Sequence, residues 1–332
     1  MGKIIGLTYD LKSDLKPKEN DPLDFNAEFD TMATINLIKS AILAGGHEVE
    51  LIGNFENLLK RLPDLGVDIV FNICEGVGLR NREAQVPVVL ERYGIPYVGS
   101  DGLTMSLSLD KVMTKKILEK ESIPTPRYVT INKVIDTINL DHLRFPLITK
   151  LRWEGTSKGL TDKSVVHNVD ELNEQVKYLF NTYKNCAVLI EELIIGSEFT
   201  VPLIGNEPVE ALAPAQVLIR NQYDVGEMIY TFQMATDPEV IDYVCPAPIS
   251  QQLDRKLRNI AIDTYKAVDC KDFGRVDIRV DREGNPYVLE INPLPSLAAD
   301  DVFAISPKTE GLDYNSVINR IIHQALKRHQ LV

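Results

Sequence analysis

Short apolar runs alternate with stretches of helical periodicity in the first hundred residues. The predicted strands lie at 3–8, 47–52, 68–72 and 94–99, and the predicted helices at 24–44 and 83–93. In the first helix Met32, Ile35, Ile38 and Ile42 form one apolar stripe, and a pair of glycines follows its end. Strands and helices in alternation predict a parallel sheet with right-handed crossovers.

The same patterns predict a mixture of strands and helices beyond residue 100. Strands are predicted at 145–150, 186–191, 199–204, 209–218, 274–280 and 287–292. Helices are predicted at 101–120, 171–183, 250–268 and 314–329. The segments 152–160, 221–242 and 298–308 are predicted loops, of which the first two are expected to be mobile.

The stretch 273–296 is predicted to form a hairpin with a charged face. In its first strand, apolar and charged residues alternate, which places Arg275, Asp277 and Arg279 on one side. A polar turn that contains a glycine joins the two strands. We therefore expect two acids and an amide where an ordinary hairpin would carry apolar residues.

The second strand of this hairpin completes a candidate metal site. Val288, Glu290 and Asn292 are predicted to share one face. Buried carboxylates need a compensating cation, and the oxygens of Asp277, Glu290 and Asn292 suit Mg²⁺. On the same face as Asp277, the Arg275 guanidinium is placed to stabilise charge that develops in a transition state. A solvated hairpin face that only carries charges remains the alternative.

Two glycine-containing loops are candidates for binding a nucleotide. The loop at 152–160 is rich in small and hydroxyl residues, so its backbone N–H groups suit phosphate oxygens, although it is not a P-loop. The alternative is a plain flexible turn. Gly76 and Gly78 follow the third strand, but Asn81 occupies the third glycine position of a dinucleotide fingerprint. A ligand loop at the carboxyl end of the sheet is still expected.

Single charged residues are weaker signals. Lys111 lies in a predicted helix, where a lysine is usually solvated. Glu191 and Glu192 end a predicted strand, either as a solvated terminus or as acceptors for adenine and ribose hydroxyls.

The composition excludes several classes of function. A chain of 332 residues is expected to form two or three domains. The net charge of -12 argues against a nucleic-acid surface. The four cysteines and five histidines form no metal motif and no catalytic triad. No apolar run reaches membrane-spanning length and no signal peptide opens the chain, so we expect a cytoplasmic protein without a membrane partner.

The order of these segments resembles the ATP-grasp superfamily and, within it, the D-alanine–D-alanine ligase-like family. Four blocks carry the resemblance: 71–76 with 94–100 and 109–111, then 145–150 with 154–159, then 189–192 with 196–199, then 274–277 with 289–293. The resemblance implies an α/β, three-domain ATP-grasp fold. It comprises a parallel α/β substrate-binding domain at 1–100, a central α+β lid domain at 101–191 and an antiparallel α+β domain with the metal site at 192–332.

The resemblance also implies an ADP-forming carboxylate–amine ligase that works through an acylphosphate. Its implied cofactors are ATP and two Mg²⁺ ions, with Mn²⁺ as a substitute. Arg275 is the implied catalytic residue, and Asp277, Glu290 and Asn292 are the implied metal ligands. The implied ATP-binding residues are Lys111, Lys150, Glu154, Thr156, Ser157, Glu191, Glu192, Ile194 and Glu198. The implied substrate-binding residues are Glu28, Glu75, Ser296 and Asp301. We also expect a homodimer.

The chain departs from the family pattern mainly in the substrate region. The His-Gly pair of the first loop is Glu75-Gly76, and the acid-rich stretch after it is Arg80-Asn81-Arg82-Glu83. The family's Asn-x-x-Pro-Gly ends in Ser296, its Ser-Leu pair is Asp301-Val302, and its loop Lys-Tyr is missing at 234–236. We therefore expect amino-acid-like substrates other than D-alanine. A true D-alanine–D-alanine ligase, a nucleotide-binding regulator that has lost catalysis and a dehydrogenase remain alternatives.

Overall fold

The computed structural model describes residues 2–16, 18–19, 21–78, 80–134, 139–184, 186–235, 237 and 240–332. Two predicted loops include positions outside this set: Leu79 after the third strand, and Thr236, Pro238 and Glu239 within 221–242. The strands of the described residues form three sheets.

The first sheet is parallel, as predicted. Its strands are β1 (Ile4–Tyr9), β2 (Glu48–Gly53), β3 (Ile69–Ile73) and β4 (Tyr97–Val98), in the order β2-β1-β3-β4. Its helices are α1 (Met32–Ala44), α2 (Phe55–Arg61) and α3 (Gln85–Tyr93). The helix predicted from residue 24 begins only at Met32, because the Thr31 side chain caps it by accepting a hydrogen bond from the Thr34 N–H.

A pair of helices follows where one was predicted. The helices are α4 (Gly102–Leu109) and α5 (Lys111–Lys120). Asp110 separates them with an extended backbone, and its side chain caps α5 through the N–H groups of Val112 and Met113. This buried carboxylate also accepts hydrogen bonds from Arg152 at 2.6 and 2.9 Å and lies 2.6 Å from Arg80. The break therefore anchors the loop that begins at Arg152.

The second sheet is antiparallel, and its strands come from the middle of the sequence. Its strands are β5 (Tyr128–Ile131), β6 (Leu147–Leu151), β7 (Val165–Val166) and β8 (Val188–Glu192), in the order β5-β8-β6-β7. Helix α6 (Val169–Thr182) packs its apolar face on this sheet through Leu172, Val176 and Leu179. The strands β5 and β7 were not predicted, because each is short and lacks a strong apolar run.

The third sheet holds the predicted hairpin. Its strands are β9 (Gly196–Ile204), β10 (Glu210–Ala211), β11 (Ala215–Ile219), β12 (Ile241–Val244), β13 (Phe273–Asp281) and β14 (Pro286–Asn292). The order is β12-β11-β9-β13-β14, with β10 paired to β9. The remaining helices are α7 (Phe232–Ala235), α8 (Gln251–Ala267), α9 (Val302–Ile305) and α10 (Tyr314–Arg328), with 3-10 turns at Lys12–Asp14, Leu62–Asp64 and Ser306–Glu310.

Some segments differ from their predicted type. The strand predicted over 209–218 is divided into β10 and β11. The stretch 221–242 contains α7 and the start of β12, and the predicted loop 298–308 contains α9. These elements are only two to five residues long, so they lie below the length at which periodicity identifies an element.

The hairpin contains a β-bulge that the sequence pattern did not indicate. Asp277 pairs with Glu290, but the next residue, Ile278, pairs with Val288, so Leu289 has no partner across the strands. Val288 is consequently buried in the core beneath α8, on the face of the strand away from Glu290. The expectation that Val288 shares the face of Glu290 and Asn292 is wrong, because one extra residue reverses the alternation.

The cores join segments that are distant in sequence. Helix α10 packs against α1, and its Ile321 shares one core with Phe71 of the first sheet and Phe273 of the third. Leu118 of α5 belongs to the core of the third sheet. The domain boundaries at 100/101 and 191/192 stay predictions.

Candidate active site

One cavity of about 970 Å³ is lined by residues of all three sheets and of the loops between them. Every predicted site residue except Glu154 lines it: Glu28, Glu75, Lys111, Lys150, Thr156, Ser157, Glu191, Glu192, Ile194, Glu198, Arg275, Asp277, Glu290, Asn292, Ser296 and Asp301. The Glu154 carboxylate instead lies 2.9 Å from the Lys158 ammonium, and its backbone carbonyl accepts a 2.6 Å hydrogen bond from Lys111.

A buried glutamate lies between two lysines at the end of β8. The Glu191 carboxylate is 2.7 Å from the Lys115 ammonium and 2.6 Å from the Lys150 ammonium. Burial opposes ionisation, but the two lysines outweigh it and lower the pKa of Glu191 to about 2. Sequence reasoning missed Lys115. Its spacing of four residues from Lys111 was the available signal, because it places both lysines on one face of α5.

The predicted metal ligands stand opposite each other on adjacent strands. Asp277 accepts a 2.7 Å hydrogen bond from Thr200 and two from Arg275, at 3.1 and 3.0 Å. The Asn292 side-chain amide donates to the same carboxylate at 3.0 Å. On β14, the Glu290 carboxylate lies 3.1 Å from Lys111. The two acids are therefore each balanced by a cation on the wall of the cavity.

The electrostatics of these two acids differ. Burial raises the pKa of Asp277 above its ordinary value. Burial also opposes ionisation of Glu290, but the Lys111 and Lys150 ammonium groups outweigh it and lower the pKa of Glu290. Two carboxylates and an amide oxygen, with room for phosphate oxygens beside them, fit a hard divalent cation. Within the described ranges, no group of three or more His, Cys, Asp and Glu side chains forms a metal cluster, so the proposed ligand set depends on phosphate and water for its remaining positions.

Arg279 follows Arg275 and Asp277 on the charged face of β13, and it lines the cavity together with Glu198. Its guanidinium is buried and donates to the Glu198 carboxylate at 2.9 Å and to the Ile194 carbonyl at 2.9 Å. It also donates to the carbonyls of Gly226 and Met228. Arg279 thus holds together the two predicted nucleotide contacts and the loop that follows β11. Alternation placed Arg279 on the correct face, but its partners were not predictable from spacing.

The glycine-rich loop after β6 has an unusual backbone. Thr156 and Ser157 have φ angles of 47° and 55°, in the left-handed region that non-glycine residues rarely adopt. Two carboxylates of the N-terminal segment hold this loop: Glu28 accepts from the Gly155 N–H at 2.6 Å, and Asp24 accepts from the Gly159 N–H at 2.8 Å. These two hydrogen bonds tie the loop to the N-terminal segment where it lines the cavity.

Arg82 is a second residue that sequence reasoning missed. Its buried guanidinium donates to Glu28 at 2.5 Å and to the Trp153 carbonyl at 2.7 Å. Glu28 is thus already paired with a cation of the protein. The neighbouring acid Glu83 is also buried, and burial is the main cause that raises its pKa to about 7. Burial likewise raises the pKa of Glu75.

Comparison with known proteins identifies the family of this chain. Residues 117–323 match the sequence model of a family described as D-ala D-ala ligase C-terminus. The chain is 35% identical over 307 residues to the uncharacterized protein y4sG of Sinorhizobium fredii (strain NBRC 101917 / NGR234), covering 88% of this chain and 87% of that protein. It is 29% identical to the D-alanine–D-alanine ligase of Carboxydothermus hydrogenoformans (strain ATCC BAA-161 / DSM 6008 / Z-2901), covering 90% and 95% of the two chains.

Solved structures share the fold. The D-alanine–D-alanine ligase of Bacillus anthracis, crystallised with ATP, aligns with a TM-score of 0.76 at 22% identity over 99% of both chains. The VanG D-Ala:D-Ser ligase of Enterococcus faecalis aligns with a TM-score of 0.75 at 19% identity, covering 98% of this chain and all of the other. The predicted ATP-grasp fold is thereby confirmed. In the part of the chain that the structure describes, no helix is long and apolar enough to cross a membrane.

Proposed function

Because the chain belongs to the D-alanine–D-alanine ligase family, we propose that it joins a carboxylate to an amine in two steps. As an ATP-dependent ligase of this type, it forms a carbon–nitrogen bond and releases ADP. First, a donor carboxylate oxygen attacks the γ-phosphorus of ATP, and the bond to ADP breaks. Then the acceptor nitrogen attacks the acylphosphate carbon, the bond to phosphate breaks and the nitrogen loses a proton. One observation carries the proposal: Asp277 and Glu290 face each other across β13 and β14, beside Arg275 and Lys111.

Asp277, Glu290 and Asn292 would hold two Mg²⁺ ions, for which Mn²⁺ is a proposed substitute. Bound there, the ions would neutralise phosphate charge and align the γ-phosphate with the donor carboxylate. Arg275 lies next to Asp277 on the same face, so it is placed to stabilise the negative charge that develops on the acylphosphate and on the tetrahedral intermediate.

The remaining cavity residues are proposed to bind ATP. Lys111 and Lys150 supply positive charge for the phosphates, and the loop that contains Thr156 and Ser157 covers them. Glu191 and Glu192, with the backbone at Ile194, form the adenine hinge, and Glu198 accepts from the ribose. Support comes from their common location in the lining of one cavity and from the ion pairs of Glu191 and Glu198. Glu154 contributes through its carbonyl, which positions Lys111.

The proposed substrates are amino-acid-like molecules other than D-alanine. Glu28, Glu75, Ser296 and Asp301 line the cavity beyond the metal residues and form the proposed substrate-binding set. In this set, Glu28 is already neutralised by Arg82. This pairing weakens the attraction of Glu28 for a substrate ammonium group, so the specificity of a D-alanine–D-alanine ligase is not expected. A homodimer and a cytoplasmic location complete the proposal.

The test separates activation of the donor from choice of the acceptor. The enzyme is incubated with Mg-ATP, hydroxylamine and each member of a panel of D- and L-amino acids and simple carboxylic acids. Hydroxylamine is a small uncharged nucleophile, so hydroxamate and ADP form together with any donor that is phosphorylated. Coupled formation of both products with at least one donor supports the proposal. Nucleotide binding without hydroxamate or ADP for every donor would favour the regulator that has lost catalysis, and turnover with D-alanine alone would favour the true D-alanine–D-alanine ligase.

The metal assignment has its own variants. Asp277→Asn and Glu290→Gln remove one carboxylate charge each with little change in volume. We expect each variant to lower ADP release by about a hundredfold or more, since a charged ligand beside the transferred phosphate is lost. The control is Asp254→Asn on α8, which removes an acid from an i,i+4 pair with Arg258 outside the cavity. ADP release close to that of this control in both variants would overturn the metal assignment.

A further inference from the structure

The guanidinium of Arg275 faces a second acid besides Asp277. Its Nη1 atom lies 3.8 Å from the Asp301 carboxylate, and both residues line the cavity. Asp301 is the N-cap of α9, and its side chain accepts a 2.7 Å hydrogen bond from the Val302 N–H. The cap holds this carboxylate in place beside Arg275. With a metal ion held by Asp277, Asp301 would remain as a counter-ion of the guanidinium.

A substrate group that reaches Arg275 also meets Asp301. The donor carboxylate becomes an acylphosphate, whose charge lies on the phosphate among Arg275, Lys111 and Lys150. An acceptor that carries a carboxylate beside its amine would bring that second charge within a few bonds of the reacting carbon, and therefore close to Asp301. Like charges at such a distance repel strongly in a partly dehydrated cavity.

In the part of the chain that the structure describes, every buried cation of the cavity wall faces an acid, and Arg275 itself faces Asp277 and Asp301. Among the described residues that line the cavity, Lys111 faces Glu290, Lys150 faces Glu191 and Arg279 faces Glu198. The remaining lysine, Lys12, is exposed. Around Asp301 the wall adds further acids, Asp30 and Asp300. A carboxylate-bearing acceptor would therefore meet repulsion without compensation.

We propose that Asp301 selects an acceptor amine that has no carboxylate next to the reacting nitrogen, such as a primary amine or an amino-acid amide. This inference rests on the proposed function and makes it more specific. It also explains how the chain differs from its family at Asp301, where the pattern has serine. The repulsion acts on the acceptor and leaves the chemistry of donor activation to Arg275, Lys111 and the metal residues.

The experiment uses the donor found with hydroxylamine and two matched acceptors, alanine and alaninamide, in both stereochemical forms. Specificity constants are expressed per free amine, so that the different protonated fractions of the two acceptors do not enter. We expect the wild-type enzyme to prefer the amide by about tenfold or more. In Asp301→Ser the preference should fall by about tenfold, because the charge is lost while serine remains a good N-cap. The ratio is internal to each protein, so a general loss of activity does not change it.

The matched control is Asp313→Ser, which makes the same change at the N-cap of α10, outside the cavity. Its amide-to-acid ratio should equal that of the wild type. A wild-type enzyme that uses alanine as well as alaninamide, or an Asp301→Ser variant with an unchanged ratio, overturns the inference and leaves the ligase function intact. Absence of hydroxamate with every donor overturns the proposed function, and the inference falls with it.

Discussion

At the scale of single residues, Glu191 is a closely held group of the cavity wall. It is only 1% exposed and touches two lysine ammonium groups. A buried carboxylate with one partner removed is costly, whereas a carboxylate between two cations is stable in its charged form. This arrangement holds Lys150 on the cavity wall and Lys115 behind it, where the Lys115 ammonium also contacts Thr125 and the Pro126 carbonyl.

The depressed pKa of Glu191 has a consequence for stability. The ordinary pKa is 4.5 and the folded-state pKa is about 2, so the stabilisation is complete above the ordinary value and is lost as the pH falls. Comparing wild type with Glu191→Gln by urea unfolding, we expect the stability advantage of the wild type to shrink by roughly 1 kcal/mol between pH 6 and pH 3.5. Glu174→Gln, an exposed change on α6, is the control. An advantage that is constant with pH would contradict the ion-paired assignment.

Arg82 and Arg279 also pair buried cations with acids of the cavity. Each is a buried guanidinium that holds an acid of the cavity, Glu28 or Glu198, and also a backbone carbonyl of a neighbouring segment. The five donors of a guanidinium make such multiple contacts possible. These residues therefore determine the position of groups that are proposed to touch the ligands.

At the scale of elements, a surface ion pair links the loop after β11 to α6. The His167 Nε2 atom lies 2.8 Å from the Glu227 carboxylate, and its Nδ1 atom lies 3.4 Å from Glu171. The hydrogen bond with Glu227 is the main cause that raises the pKa of His167. The backbone on both sides of Glu227 is held by Arg279, so this pair connects the second sheet to the proposed nucleotide end of the cavity.

The link should weaken as the pH rises. A histidine with a raised pKa contributes its stabilisation fully below its ordinary pKa and loses it as the pH passes the raised value. We expect chymotrypsin cleavage after the half-exposed Tyr223 to be faster at pH 8 than at pH 6 by a factor of about two to five, after correction for the protease's own pH profile, as for an exposed ion pair. His167→Gln should abolish the difference. The exposed His323→Gln should keep it, and equal behaviour of the two variants would refute the link.

At the scale of the whole molecule, one ion pair with a buried carboxylate joins the last helix and the end of the first sheet to the third sheet. Arg328 on α10 contacts the Asp272 carboxylate at 3.1 and 2.7 Å, and it donates to the carbonyls of Tyr97 and Gly99. Asp272 is fully buried at the start of β13. The pair therefore holds the first sheet, the third sheet and the last helix in the arrangement that forms the cavity.

Two arginines on α10 provide a matched comparison of a buried and an exposed ion pair. Arg328→Met leaves a buried carboxylate without its cation and should lower the free energy of unfolding by about 3–5 kcal/mol. Arg320→Met removes a partly exposed pair with Glu210 and should cost about 0–1 kcal/mol. Urea unfolding of both variants measures the difference. Restoration of much of the loss by adding Asp272→Asn to Arg328→Met would identify the unpaired charge as the cause, whereas equal costs for the two arginines would contradict it.

The sequence by itself determined the elements that are set by local periodicity and the residue types of the site. The parallel sheet followed from four apolar runs and two helical stretches among them, because strand and helix have different periods. The charged face of the hairpin followed from strict alternation in β13. The family resemblance and the ATP-grasp fold rested on ordered blocks of such residues, and both were confirmed.

Only the tertiary structure decided which charges are paired. Three cations, Lys115, Arg82 and Arg328, pair with acids that are 54 to 76 positions away in the sequence. No local pattern encodes such contacts. The bulge in β14 was also hidden, because apolar Leu289 fits either face of a strand until the partner strand fixes its register. The chemistry of the site was thus readable from residue types, whereas its electrostatic state depends on how three sheets pack around one cavity.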